Sequence, residues 1–342
     1  MKKTLIFLLY FVCAMYAFLL GVRQPNIDGY DKARFGDMVH GEAHRPYVYR
    51  ALMPAVILSI EKALPDSAEQ NIKSLIAKIY PFEKVIDKMG WNQEYYIEYL
   101  IGLILMFACL MAFMYTISYL SRGLFKSGGF AHHLIAVASI LLLPVMFRYY
   151  IYPYDFPTLL LFTLALAMLA RGRFKAYIIV FILASINKET AILLPMLWMI
   201  YFRHSRKQDP KKYWISAGLQ LGIFLVIRSI IMLIYMNNPG VPAEFNFFEF
   251  NFPYLFSPHS VPGVMSFIML VILLFYRWKE KPKFLREALF MGIPLLALAI
   301  FWGVIDELRI FYEIYPVLVL LATHTIAGLT GYRLENRMAN RL

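Results

Sequence analysis

Polar stretches interrupt an otherwise apolar chain, and several carry residue types suited to holding an anion or moving a proton. The segment Asn26-Ile27-Asp28-Gly29-Tyr30-Asp31-Lys32-Ala33-Arg34-Phe35-Gly36-Asp37 offers three carboxylates within ten residues. A carboxylate within hydrogen-bond reach of a hydroxyl can take its proton, which makes Asp31 and Asp28 candidate bases and Asp37 a rival. The competing reading is a solvated loop whose acids pair with Arg23, Lys32 and Arg34. Arg45-Pro46-Tyr47-Val48-Tyr49-Arg50-Ala51-Leu52-Met53-Pro54 sets two arginines and two tyrosines at the entry to a short helix. A guanidinium fork matches phosphate, so Arg50 and Tyr49 are candidate phosphate-binding residues; snorkelling arginine beside interfacial tyrosine accounts for the same pattern.

Arg148-Tyr149-Tyr150-Ile151-Tyr152-Pro153-Tyr154-Asp155-Phe156-Pro157 surrounds Asp155 with tyrosines at a helix start, with Arg148 and Tyr154 as further candidates. A helix dipole favours a carboxylate there, and capping alone explains that placement too. Asn187-Lys188-Glu189-Thr190 joins two apolar runs with almost no loop. A hairpin that tight leaves Lys188 and Glu189 at bilayer depth, where charges face a cavity, unless they form an exposed pair. Asp306-Glu307-Leu308-Arg309 leads into the last apolar run; Glu307 and Arg309 are candidates, and an i, i+4 pair of Arg309 with Glu313 is the local alternative. Arg228 lies inside an apolar run, about 12 Å below its outer end at roughly 1.5 Å per residue. An arginine that deep needs an acid from another helix or a bound phosphate.

These residues need elements to hold them, and the chain supplies apolar helices. It has 342 residues, 60% of them hydrophobic and 17% aromatic, with a mean hydropathy of +0.58, which excludes an ordinary soluble domain. Apolar runs long enough to cross a bilayer lie near 4–21, 97–120, 131–149, 156–171, 174–188, 189–203, 213–236, 259–277, 288–305 and 310–331. That pattern predicts an all-α polytopic membrane protein of about ten transmembrane helices, a single membrane domain over 1–342. The first run is expected to be an uncleaved span rather than a signal peptide. About twenty of the 34 basic residues fall in alternate turns. The positive-inside rule puts those turns and both termini in the cytoplasm, so the polar motifs face the extracytoplasmic side of the cytoplasmic (inner) membrane. The net charge of +12 then serves topology and headgroup contact rather than nucleic acid.

Two outer loops stand out. The long extracytoplasmic loop 22–96 has a helical pattern over 49–64, and over 69–79 it places Ile72, Leu75, Ile76 and Ile79 on one stripe, as an interfacial helix does. The loop 237–259 is rich in phenylalanine, suited to the headgroup boundary or to a groove for a lipid chain. Cys13 and Cys109 form no framework. His40 and His44 do not amount to a metal site, and no cofactor is called for, although a cluster of acids is compatible with a divalent metal.

The layout resembles the GT-C superfamily of integral-membrane glycosyltransferases. The resemblance rests on a long loop of interfacial helices after the first span, an acid-then-aromatic spacing at Asp31 and Phe35, and the segments around Tyr49-Arg50, Tyr154-Asp155, Asn187-Lys188-Glu189-Thr190 and Glu307-Leu308-Arg309. The chain departs from well-known members in lacking an adjacent acidic pair in this loop and a C-terminal soluble domain. The resemblance implies a GT-C-like fold and transfer of a sugar from a polyprenyl-phosphate-linked donor to a glycan or lipid acceptor. Reaction outside the membrane would be inverting, with a first-loop carboxylate as base and no required metal. The alternatives are a polysaccharide polymerase or ligase using a polyprenyl-diphosphate oligosaccharide, and a non-enzymatic transporter or flippase of lipid-linked glycan.

Overall fold

The computed structural model describes residues 2–23, 26–79, 82–257, 261–332 and 334–337. Arg333 and Arg341 of the C-terminal basic cluster, 24–25 and 80–81 of the first loop, and 258–259 of the second lie outside them. The chain is all-α apart from one two-residue strand pair, Phe125–Lys126 with Glu335–Asn336. In order the helices are α1 (Lys2–Arg23), α2 (Phe35–His40), α3 (Leu52–Ala63), α4 (Asp66–Ile79), α5 (Phe82–Met89) and α6 (Tyr96–Leu124). Then follow α7 (Ala131–Leu142), α8 (Asp155–Ala170), α9 (Phe174–Asn187), α10 (Leu193–Tyr201), α11 (Ser205–Gln208) and α12 (Pro210–Ile234). The last are α13 (Phe252–Phe256), α14 (Val261–Phe275), α15 (Lys283–Ala288), α16 (Gly292–Phe301) and α17 (Tyr315–Leu329).

Among the described residues, each apolar run of the sequence is largely helical. Among the described residues four helical stretches are long and apolar enough to cross a membrane: Lys3–Arg23, Gln93–Leu124, Pro210–Ile234 and Lys283–Phe301. Six shorter apolar helices accompany them. The molecule is therefore a helical membrane protein. The long α6 is the centre of packing, touching α8, α1, α7 and α3. Along α8, Ala165, Ala167 and Ala170 are buried; small residues let helix backbones approach closely where no water drives association.

The first loop docks on α6 through aromatic rings and one acid. Phe35 stacks on Tyr99 at 4.7 Å, and Trp91 stacks on the same ring at 4.8 Å. A Cβ added at Gly102 would sit 2.6 Å from the Phe35 ring, so glycine there makes the room that docking needs. Helix α3 begins at Leu52, three residues after the start of the expected run, and Pro54 falls in its first turn, where no backbone donor is lost. On α4, Ile72 and Ile76 are half-buried while Leu75 is 58% exposed, so part of the expected apolar stripe is not covered by protein.

The two ends of the bundle differ in kind. At one end basic turns meet each other: Arg203 pairs with Glu287 at 2.5 Å, and Arg337 donates to the Arg122 carbonyl at 2.7 Å. At the other, the two outer loops are joined. Arg45 and Gly240 bridge, Arg45 donates to the Gly240 carbonyl at 2.6 Å, and Asn238 donates to the carbonyls of Gly41 and Ala43. Gly240 has a φ of +88°, and a Cβ there would lie 2.7 Å from the Arg45 oxygen. That close approach requires glycine.

Candidate functional site

A cavity of about 1080 Å³ opens at the end of the bundle where the outer loops join. It exceeds the roughly 300–1,000 Å³ of ordinary small-ligand pockets. One flank is apolar: Phe224, Leu225 and Met232 of α12 face Leu295, Leu298 and Trp302 across it. These positions recur at helical spacing, so a single face of each helix forms the wall. The rest of the lining is polar and carries tyrosines, with residues of the strap 241–250.

Four cations from four separate parts of the chain converge on the inner end: Arg50, Lys188, Arg228 and Arg309. Arg50, just ahead of α3, grips Glu189 with Nη2 at 2.8 Å and Nε at 3.5 Å, and its Nη1 donates to the Tyr154 hydroxyl. Burial works against the Arg50 charge, but Glu189 outweighs it and lifts the guanidinium above its ordinary pKa. Arg228 reaches the same carboxylate at 3.7 Å and donates to the Tyr49 carbonyl at 3.0 Å. Arg309 lies between Asp155, at 3.3 Å, and Glu307, which accepts from its Nε at 2.8 Å; the guanidinium sits 4.2 Å over the Tyr152 ring. Lys188 pairs with the fully buried Glu313 at 2.7 Å, and Thr190 donates to the same oxygen at 2.5 Å. Hence four cations meet four carboxylates: Asp155, Glu189, Glu307 and Glu313.

Local alternatives in the sequence give way to these tertiary pairs. Arg309 does not take Glu313, because Lys188 holds it; Lys188 and Glu189 do not pair with each other. Asp155 opens α8, and its Oδ2 accepts from the Tyr152 backbone N–H at 2.9 Å as well as from Arg309. Tyr49, Tyr154, Lys188, Glu189 and Glu307 line the cavity with the arginines. Arg148 stands apart from the lining: it pairs with Asp306, whose other oxygen accepts from the Tyr149 hydroxyl at 2.9 Å.

The two candidate bases also stand outside the lining. Asp28 accepts from the Phe35 N–H at 2.6 Å and from the Tyr99 hydroxyl at 2.8 Å. Both its oxygens therefore hold the first loop on α6, and burial pushes its carboxyl above the ordinary range. Asp31 is exposed and pairs with Arg34 at 2.6 Å. Asp37 is raised as well, again by burial.

The structure adds residues that spacing did not single out. Lys32 crosses to Glu244 of the strap at 2.7 Å. Glu249 lines the cavity, and among the described residues it makes no hydrogen bond or ion pair. Tyr30, Tyr47, Tyr150 and Tyr152 line it too. Burial lifts the Tyr47 and Tyr152 hydroxyls well above the ordinary tyrosine value, so they stay protonated and able to donate. Phe245 and Phe250 of the strap face the cavity, whereas Phe248 and Phe256 are 72% and 76% exposed; the aromatic loop thus divides between groove and belt. The signal for Glu244 and Glu249 was their isolation among phenylalanines. No group of three or more metal-ligating side chains occurs among the described residues. Compared with protein-family models, with curated proteins and with solved structures, the chain matches none.

Proposed function

We propose that the protein is a membrane glycosyltransferase that takes a sugar from a polyprenyl-phosphate-linked donor on the extracytoplasmic face of the cytoplasmic membrane. In this reading the six shorter apolar helices cross along with the four that are long enough on their own, ten crossings in all, with both termini in the cytoplasm and the cavity outside. The observation that carries the reading is the pairing, in one cavity, of a four-cation end with an apolar flank on α12 and α16. A phosphate at the cations and an isoprenoid chain along the flank use both halves together. The apolar half does not suit a water-soluble sugar nucleotide, which has no chain to lay on Phe224, Leu225 and Leu298.

The charge count ranks the donors. The four cations are already matched by four carboxylates. A phosphodiester adds one negative charge and a diphosphate two. Like charges 4 Å apart repel by about 4 kcal/mol at an effective dielectric of 20, so the singly charged diester is favoured and the polymerase reading is the weaker. In the transfer, the acceptor oxygen bonds to the anomeric carbon as the bond to the phosphate oxygen breaks, and the electron pair leaves with the phosphate. Arg50, Arg228 and Arg309 stabilise the charge that grows there. Of the four carboxylates lining the cavity, Glu189 and Glu307 are engaged by arginines and Glu244 by Lys32. We assign the acceptor proton to Glu249.

The test is reconstitution of the full chain in proteoliposomes with radiolabelled polyprenyl-phosphate hexoses and a mixture of glycan and lipid acceptors. A new glycosidic product, lost in Arg309→Ala, supports the reading. Movement of the intact donor across the bilayer without a new bond would overturn it in favour of a flippase.

A further inference from the structure

The cavity continues past the cation end to a rim of different character. Side-chain exposure climbs from 9% at Arg309 and 12% at Arg50 to 45% at Lys32, so the rim faces water. Tyrosine rings run along it: Tyr150 stacks on Tyr30 at 5.6 Å, Tyr47 meets Tyr30 edge-on at 5.5 Å, and Tyr152 follows Tyr47 at 5.7 Å. The hydroxyls of Tyr47 and Tyr150 make no hydrogen bond among the described residues. The strap supplies Glu244, held to Lys32 at 2.7 Å, and Glu249 to the same cavity.

We propose that this rim is a saccharide subsite, which receives the acceptor as a sugar ring lying against Tyr30, Tyr47 and Tyr150 with its hydroxyls directed to Glu244, Glu249 and the tyrosine oxygens. The term acceptor rests on the proposed function; saccharide binding does not. Three ligand chemistries compete for such a surface. A lipid chain would cover the tyrosine hydroxyls and Glu249 without giving them partners, at the full desolvation penalty of each. A phosphorylated ligand would meet the carboxylate of Glu249, unpaired among the described residues, while the rim cation Lys32 is already taken by Glu244. A neutral sugar has an apolar C–H face for aromatic rings and hydroxyls that both donate and accept, so it satisfies every group present. The donor sugar is tied to a phosphate at the buried cations, which leaves the water-facing rim for the other substrate.

The experiment is saturation-transfer NMR on the full chain in lipid nanodiscs, with free glucose, galactose, mannose, N-acetylglucosamine and rhamnose as probes. At least one sugar is expected to receive saturation at its ring C–H protons. Its binding should weaken about three- to tenfold in Tyr30→Ala and Tyr150→Ala, and less in the ring-preserving Tyr150→Phe, which loses one hydrogen bond but keeps the stacking face. It should persist with polyprenyl-phosphate hexose bound. No signal from any sugar, or a signal indifferent to both alanine variants, would refute the subsite. Displacement by the lipid-linked hexose would overturn its assignment to the acceptor. If sugar binding follows the tyrosines while no polyprenyl-phosphate donor binds, the subsite stands and the proposed function falls.

Discussion

Arg50→Ala removes the one side chain that, among the described residues, links the first outer loop to the hairpin acid Glu189. In the wild type the guanidinium makes two contacts with that carboxylate and one with the Tyr154 hydroxyl. Two roles are compatible with this geometry, and they predict different kinetics. If Arg50 only fixes Glu189, then Glu189→Gln should cost as much as Arg50→Ala, and the double variant no more than either. If Arg50 stabilises charge on the departing phosphate, its loss acts on the transition state. One donor aimed at a growing oxyanion contributes about 2.7–4 kcal/mol, a factor of about 10²–10³ in kcat. Arg50→Lys keeps the charge and loses the fork, so it should fall between. Stability should drop by about 3 kcal/mol, the lower end of the cost of breaking a buried pair, because Arg228 still reaches Glu189 at 3.7 Å. The assay is sugar transfer in proteoliposomes at saturating donor, with thermal unfolding in the same lipid to confirm folding. A folded Arg50→Ala protein with kcat within about threefold of wild type, well short of the effect of a lost oxyanion donor, would refute the electrostatic role. Equal losses in Arg50→Ala, Glu189→Gln and their double would reduce Arg50 to a positioning residue.

Three further outcomes are expected. Lys188→Met alone should destabilise the fold by about 3–5 kcal/mol, since it strands the buried Glu313, whereas Lys188→Met with Glu313→Leu should recover most of that; chemical denaturation of the reconstituted protein checks it. Because burial raises the folded-state pKa of Asp28 above its unfolded value, its contribution to stability is full below the unfolded pKa. That contribution fades as pH rises through the folded pKa. Asp28→Asn should reduce the pH dependence of thermal stability across that acid window, leaving the part due to Asp37, whose carboxyl burial also raises; an unchanged slope would refute the assignment. Glu249→Gln should lower kcat by about 10²–10⁴ as a lost general base does, while Asp31→Asn at the exposed Arg34 pair should transfer sugar near the wild-type rate. The reverse order would return the base to the first loop.

Much of the architecture is legible because its cause is local. An apolar run in lipid has to be helical, because each backbone polar group there needs an internal partner; among the described residues the apolar runs fall on helices, four of them long enough to cross. The polar motifs are legible for the complementary reason: Arg228 and Lys188 are too costly in an apolar segment to be incidental. Their partners are not legible. The i, i+4 rule offers Glu313 to Arg309, yet the fold gives it to Lys188, 125 residues away in the chain. Nor does residue type separate Asp28 from Asp31. Burial against Tyr99 separates them, and that depends on Gly102 admitting Phe35 to the face of α6. Glu244 lies in an irregular loop and Glu249 in a five-residue π-helical turn, Phe247–Asn251, too short for a periodicity to show which way either faces.

The buried pairs also bear on why the cavity is polar at all. Removing charges from water costs several kcal/mol per ion, and well-packed apolar replacements of buried pairs are often neutral or more stable by about 1–4 kcal/mol. Lys188–Glu313 and Arg309–Asp155 are therefore poor devices for stability alone. Each nevertheless draws its partners from distant segments, so the set fixes the first loop, the α9–α10 hairpin, α8 and the start of α17 around one volume. A lattice that costs stability but fixes cation positions to within hydrogen-bond tolerance suits a site that must meet a phosphate without reorganising. The Lys188→Met and Glu313→Leu double variant isolates that trade. If it is as stable as wild type and inactive, the pair exists for position and charge. If it is stable and fully active, the pair is dispensable to the cavity and the electrostatic account of this end of the molecule fails.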